Sequence, residues 1–106
     1  MVREYRGKCK EGVWRYGFLW ITKGGFFHVI RTQEGEDFEV DPKTVGQFTG
    51  YVDTNGIKIF EGDINMYGVV IFEQGRYLSR DLSKNWFVQD LYYSTFCEIT
   101  GNIHEQ

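Results

Sequence analysis

Two cysteines and two histidines, Cys9, His28, Cys97 and His104, carry the most chemical reach in this 106-residue chain, and each stands alone. A structural zinc site needs four such ligands at close spacing. These four are scattered along the whole sequence. Nucleophilic catalysis needs a cysteine beside a histidine, with a third group to orient it. No spacing here supplies that, and His28, between Phe27 and Val29, reads as a strand histidine. Glu36, Asp37, Glu39 and Asp41 crowd one turn and are the candidates for paired-carboxylate acid–base work. A solvated face is the plainer reading of such a cluster. Asp53-Thr54-Asn55-Gly56 opens like a calcium loop, but that loop requires glycine at its sixth place and glutamate at its twelfth. Those places hold Lys58 and Ile64. Neither a Gly-Lys-Ser/Thr phosphate loop nor a Gly-x-Gly-x-x-Gly fingerprint occurs. The expectation is a protein with no catalytic, cofactor-binding or metal-binding residues.

Binding surfaces remain. Trp14, Tyr16, Phe18 and Trp20 alternate along one stretch, so in a strand they share a face. Such a row is either core or an interface, because tyrosine and tryptophan are favoured interface anchors and rarely lie bare. Arg6, Lys8, Lys10 and Arg15, with Tyr5, Trp14 and Tyr16 among them, form the candidate surface for a single-stranded nucleic acid. Charge supports a sided molecule. Residues 1–31 carry seven basic and two acidic side chains, whereas residues 32–106 carry five basic and thirteen acidic ones. Asymmetry of this kind suits an anionic partner, head-to-tail self-association, or a basic strand lying across an acidic barrel. The overall charge of −3 weighs against a dedicated nucleic-acid binder.

The elements that must position these residues are short strands. Aromatic residues make up 18% of the chain, with thirteen glycines and one proline, which excludes disorder and favours strands joined by tight turns. Residues 13–21 alternate, residues 23–25 turn, and residues 26–31 return as a hairpin. A short strand follows at 37–40, then a helical turn capped by Asp41 with Pro42 in first place. Strands at 47–52 and 57–60 flank the Asp53–Gly56 turn. Residues 69–73 and 76–79 pair about Gln74-Gly75. Residues 80–95 are the least legible, with 90–93 a helical turn or loop, and 97–103 reads as a last strand broken at Gly101. About eight short strands at this spacing imply a small barrel or two packed half-barrels. If the terminal strands pair, Cys9 and Cys97 become neighbours.

The apolar runs near 18–21 and 69–72 are far below the roughly 20 residues a membrane span needs. The first ten residues lack the apolar core of a secretory signal. A cytoplasmic protein with no membrane partner is expected, its cysteines reduced.

Three blocks then carry a resemblance. They are Val-Asp-Pro-Lys-Thr-Val-Gly-Gln-Phe-Thr-Gly over 40–50, Asp-Thr-Asn-Gly-Ile-Lys-Ile-Phe-Glu-Gly-Asp-Ile over 53–64, and Gly-Asn-Ile over 101–103. With the aromatic stretch at 12–19, they resemble the YopX-like proteins of bacteriophages and prophages. The resemblance implies carriage on phage DNA and an all-β fold with an SH3-like barrel. It brings no catalytic residues. Asn65 departs from the valine common after the second block's Glu-Gly-Asp-Ile, which puts the surface near it in question. The expectation is one domain, with an N-terminal hairpin region over 1–45 and a small SH3-like barrel over 46–103. Its expected role is that of a non-catalytic module binding a host or phage protein, or a second copy of itself. The alternative is a small barrel binding single-stranded nucleic acid.

Overall fold

The structure is a computed structural model and describes residues 3–22, 24–81, 83 and 88–105. Lys23 of the first expected turn and residues 84–87 lie outside that set. Eleven strands and two 3-10 segments are present among the described residues. The strands are β1 (Tyr5–Lys8), β2 (Trp14–Ile21), β3 (His28–Arg31), β4 (Asp37–Val40), β5 (Gly46–Val52) and β6 (Lys58–Phe60). They continue with β7 (Asp63–Asn65), β8 (Gly68–Glu73), β9 (Arg76–Arg80), β10 (Val88–Asp90) and β11 (Gly101–Asn102). The 3-10 segments are η1 (Pro42–Thr44) and η2 (Leu91–Phe96). The fold is all-β, and its strands pair antiparallel. The chain divides into two compact units, Met1–Phe48 and Thr49–Gln106, and passes from one to the other within β5.

The first unit is more than a hairpin. Its strands run in the order β4-β3-β2-β1-β5. The sheet curls until Cys9, just past β1, bridges Val40 at the end of β4. The 40–50 block explains how this contact is held. Asp41 donates its amide to the Lys8 carbonyl at 2.9 Å, and its carboxylate caps η1 by accepting from the Lys43 amide at 3.0 Å. Pro42 follows at the first helical position, where a missing N–H costs nothing. The Thr44 hydroxyl accepts the Lys8 amide at 2.9 Å and donates to the Asp41 carbonyl at 2.7 Å. Cys9, Ile30 and Val40 form the buried cluster, with Tyr5, Leu19 and Val45 packed against it.

The second unit has β5 beside β6, and a five-stranded sheet in the order β10-β9-β8-β7-β11. Among the described residues that sheet has two open ends, β10 and β11, so strand pairing there does not close the expected barrel over 46–103. A single Cys9–Val40 bridge likewise leaves the first unit's sheet unclosed. Ile59, Val70 and Leu91 form the second unit's core, flanked by Tyr77 and Ile99. The last strand is shorter than expected. It begins at Gly101, because the Ile99 amide is taken by the Asp53 carboxylate and not by a neighbouring strand. Each terminal strand pairs within its own neighbourhood, β1 with β2 and β5, and β11 with β7.

Among the described residues three glycines have no room for a Cβ: Gly7, Gly68 and Gly17, where it would lie 2.0 Å from the Arg31 carbonyl oxygen. A Cβ on Gly7 would lie 2.7 Å from a Val40 methyl, and one on Gly68 would lie 1.9 Å from the Arg80 carbonyl oxygen. Gly68 also has a φ of +126°, outside the range of L side chains. Gly7→Ala should cost about 1–3 kcal/mol of unfolding free energy through overpacking, and Gly68→Ala more. Urea melts of the full chain measure both. A Gly68→Ala midpoint equal to wild type would contradict the close approach of β8 to the end of β9.

Candidate functional site

Register decides which sequence candidates meet. Tyr16 stands opposite Arg6 and Trp14 opposite Lys8, while Phe18 faces Arg31 and Trp20 faces Val29. Directly opposed residues project to the same side of a sheet. The aromatic row of β2 therefore shares its face with Arg6 and Lys8 on one flank and Arg31 on the other. The Arg6 guanidinium lies 4.8 Å from the Trp14 ring centre, and the Lys8 ammonium 5.8 Å from it, both within cation–π range. Tyr16, Phe18 and Trp20 are 44%, 51% and 43% exposed, and Trp14 is half-buried. Arg6 is buried, Lys8 half-buried and Lys10 exposed.

Arg15 does not join them. It stands opposite Gly7, on the other face, with its guanidinium 3.8 Å from the centre of the Phe38 ring. Sequence reasoning missed Arg31, whose place beside Phe18 comes from β2–β3 register and from no local motif. Arg31 binds Asp37 through two hydrogen bonds of 2.7 and 2.9 Å. The hydrogen bond from Arg31 holds the Asp37 carboxyl below its usual range, and Asp37 in turn raises Arg31. Sequence reasoning also missed Tyr92, Tyr93 and Phe96, exposed on η2, where Tyr92 makes an edge-to-face contact with each of the other two rings. Their close spacing in a segment read as loop or turn was the one signal that could have found them.

The reactive side chains are dispersed. Cys9 and His28 line one groove of about 540 Å³ in the first unit, with Lys8, Lys10, Phe26 and Phe27. The Cys9 thiol hydrogen-bonds the Glu11 side chain and holds that carboxyl low. Cys97 and His104 belong to the second unit. Burial pushes the Cys97 thiol up, and the Asp53 charge adds to the rise. Such a thiol is less available as thiolate, the reactive form. Among the described residues no three His, Cys, Asp or Glu side chains gather as a metal would require. No helix among them is long and apolar enough to cross a membrane.

The YopX protein family model matches residues 21–106. The chain belongs to the YopX family. No curated protein matches it. The match begins at Ile21, so Trp14 to Trp20 precede it and family membership says nothing of the aromatic row. Inside the match, the YopX blocks hold turns. In the Asp53–Gly56 turn, one Asp53 carboxylate oxygen accepts from the Asn55 and Ile57 amides at 2.8 and 2.9 Å. The other accepts from Ile99 at 3.1 Å. In the Glu61–Asp63 turn, Asp63 accepts from the Phe60 amide at 2.7 Å. Asn65, the departure from the YopX pattern, is interior and not surface. It donates to the Ser94 hydroxyl at 2.9 Å and accepts from the Tyr67 amide at 2.8 Å. Ser94 and Ser79 lie 3.1 Å apart, both buried.

Burial alone would push the Asp53 carboxyl up, but the amides of Ile99, Ile57 and Asn55 outweigh it and hold the group below its ordinary value. A depressed folded-state value contributes stability above the ordinary carboxylate pKa, and loses it as pH falls through the folded-state value. Asp53→Ala should therefore lower unfolding free energy at neutral pH by about 1–3 kcal/mol. It should also flatten the decline of stability below about pH 4. Urea melts at stepped pH check this, and an unchanged acid slope would remove Asp53 as its source.

Proposed function

We propose that this YopX-family chain is a phage or prophage accessory protein. It works in the host cytoplasm by non-catalytic binding, and the β2 face is its binding surface. One observation carries the reading: Tyr16, Phe18 and Trp20 stay about half exposed, although each could bury ~150–250 Å². A protein ligand from host or phage suits such anchors, which dominate interface energetics when desolvated. A second reading, single-stranded nucleic acid, is favoured by the cations beside the row.

The test is a pull-down from phage-infected host cells, with and without nuclease, comparing wild type with Tyr16→Ser/Phe18→Ser/Trp20→Ser. A partner recovered by wild type should fall at least ~10-fold with the variant, since several anchors of this kind are lost together. Exposed substitutions should shift stability by only about 0.5 kcal/mol each. A variant that unfolds would show the row to be core and end the proposal. Turnover in a broad hydrolase or transferase screen, abolished by one point mutation, would end it as well.

A further inference from the structure

We propose that the mouth of the curled first sheet binds a small aromatic zwitterion, of the kind an aromatic amino acid represents. This site is separate from the outward face of β2 and does not rest on the reading above. His28 stands opposite Val40, and Cys9 bridges Val40, so all three project to one side of the sheet. They do so at the first residue of β3, the last of β4 and just past β1, where the strands run out. Cys9 and Val40 are the buried part of the lining. Phe26 and Phe27, in the β2–β3 connection, form its open part and are 79% and 52% exposed. The groove measures about 540 Å³. Small-molecule sites run from ~300 to 1,000 Å³, favour barrel mouths, and set a few polar groups in an apolar lining.

Three features give the ligand its chemistry. Two adjacent exposed rings call for an aromatic body, because ring pairs gain more than their buried area supplies. The His28 Nδ1 is buried and has no hydrogen-bond partner among the described residues. Buried polar atoms are rarely left so, and an imidazole nitrogen serves an amine or a carboxylate according to its tautomer. The rim carries both signs, with Lys8 and Lys10 beyond β1 set against Glu39 and Asp41 at the end of β4. Asp41 already caps η1, and the Lys8 ammonium lies over Trp14. Lys10 and Glu39 are the exposed pair. A ligand with one charge meets a like charge at this rim, whereas a zwitterion meets a partner for each of its own.

The test is ligand-observed NMR titration of the full chain with L-tryptophan, tryptamine, which lacks the carboxylate, and indole-3-propionate, which lacks the amine. Tryptophan has about fifteen non-hydrogen atoms, which at ordinary ligand efficiency gives a Kd of about 1 mM. It should bind saturably and at least ~2-fold tighter than either analogue. Phe26→Ala should weaken it ~2–10-fold, the worth of one ring contact. His28→Phe keeps a ring but removes the nitrogen, and should also weaken it ~2–10-fold. Lys10→Gln should weaken tryptophan and indole-3-propionate ~2–5-fold and leave tryptamine unchanged. Glu39→Gln should weaken tryptophan and tryptamine and leave indole-3-propionate unchanged. Phe18→Ser, on the outward face of β2, should change none of the three. Urea midpoints equal to wild type tie each loss to contact, and the exposed positions of Phe26, Lys10 and Glu39 keep those variants folded should His28→Phe fail to fold. No saturation by ~10 mM tryptophan, ten times the expected Kd, would overturn the proposal. Indifference to Phe26→Ala, or a loss on Phe18→Ser, would place any binding elsewhere and overturn it too. Equal affinity for the three ligands would overturn the zwitterion assignment.

Discussion

Four strands whose first and last meet at a single residue pair enclose very little space. The Cys9–Val40 bridge imposes that limit on the first unit, and much else there follows from it. The inward positions must be small or slender where the curl is tightest, and Gly7 faces Val40 with no room for a methyl group. Cys9, Ile30 and Val40 then fill the centre, with Tyr5, Leu19 and Val45 packed against them. Inward-facing positions of a narrow curl cannot take four large rings. Trp14, Tyr16, Phe18 and Trp20 lie on the opposite, outward face of β2, where Tyr16, Phe18 and Trp20 are exposed and Trp14 is half-buried.

The second unit meets the same shortage of interior with polar ties. Ile59, Val70 and Leu91 make a small apolar centre, which alone would leave the turns and the C-terminal segment loosely held. Asp53 joins its own turn to Ile99, and Ser94 tethers η2 to Asn65 and Ser79. Buried polar groups of this kind are costly if any partner is missing. The segments they hold are consequently fixed in position as well as stabilised. Tyr92, Tyr93 and Phe96 sit on the outer side of a 3-10 segment secured in this way.

What was legible in the sequence was whatever a local rule governs. The strands read at 13–21, 37–40 and 69–73, present at Trp14–Ile21, Asp37–Val40 and Gly68–Glu73, the Asp41–Pro42 start of η1 and the Asn55-Gly56 turn all follow from period, capping and turn chemistry. β1 was not legible. Tyr-Arg-Gly-Lys has no apolar alternation, and it becomes a strand because β2 and β5 supply partners on both sides. The last strand failed for the converse reason: residues 97–100 have strand-like composition, but the Asp53 carboxylate outcompetes a strand partner for the Ile99 amide. Of the candidate site, the alternation placed the aromatic row on one face. Only register could add Arg31, remove Arg15 and show that Arg6 is buried.

Charge shows the same limit on a larger scale. The sequence splits into a basic segment of +5 and an acidic one of −8, yet the fold does not keep that division. The first unit gathers eight basic and seven acidic side chains, for a net +1, and the second four basic and eight acidic, for a net −4. The acidic turn at 34–41 folds back beside the basic strands, and Arg31 binds Asp37 within one ladder. A partner meeting the β2 face thus encounters no broad positive field, since exposed charges more than about 8–10 Å away are largely screened at physiological salt. It encounters the few charges within that distance of the rings, Lys8 on one flank and Arg31 with its Asp37 carboxylate on the other. The electrostatics of this face are set by residues a strand apart, and the net charge of the chain has little bearing on them.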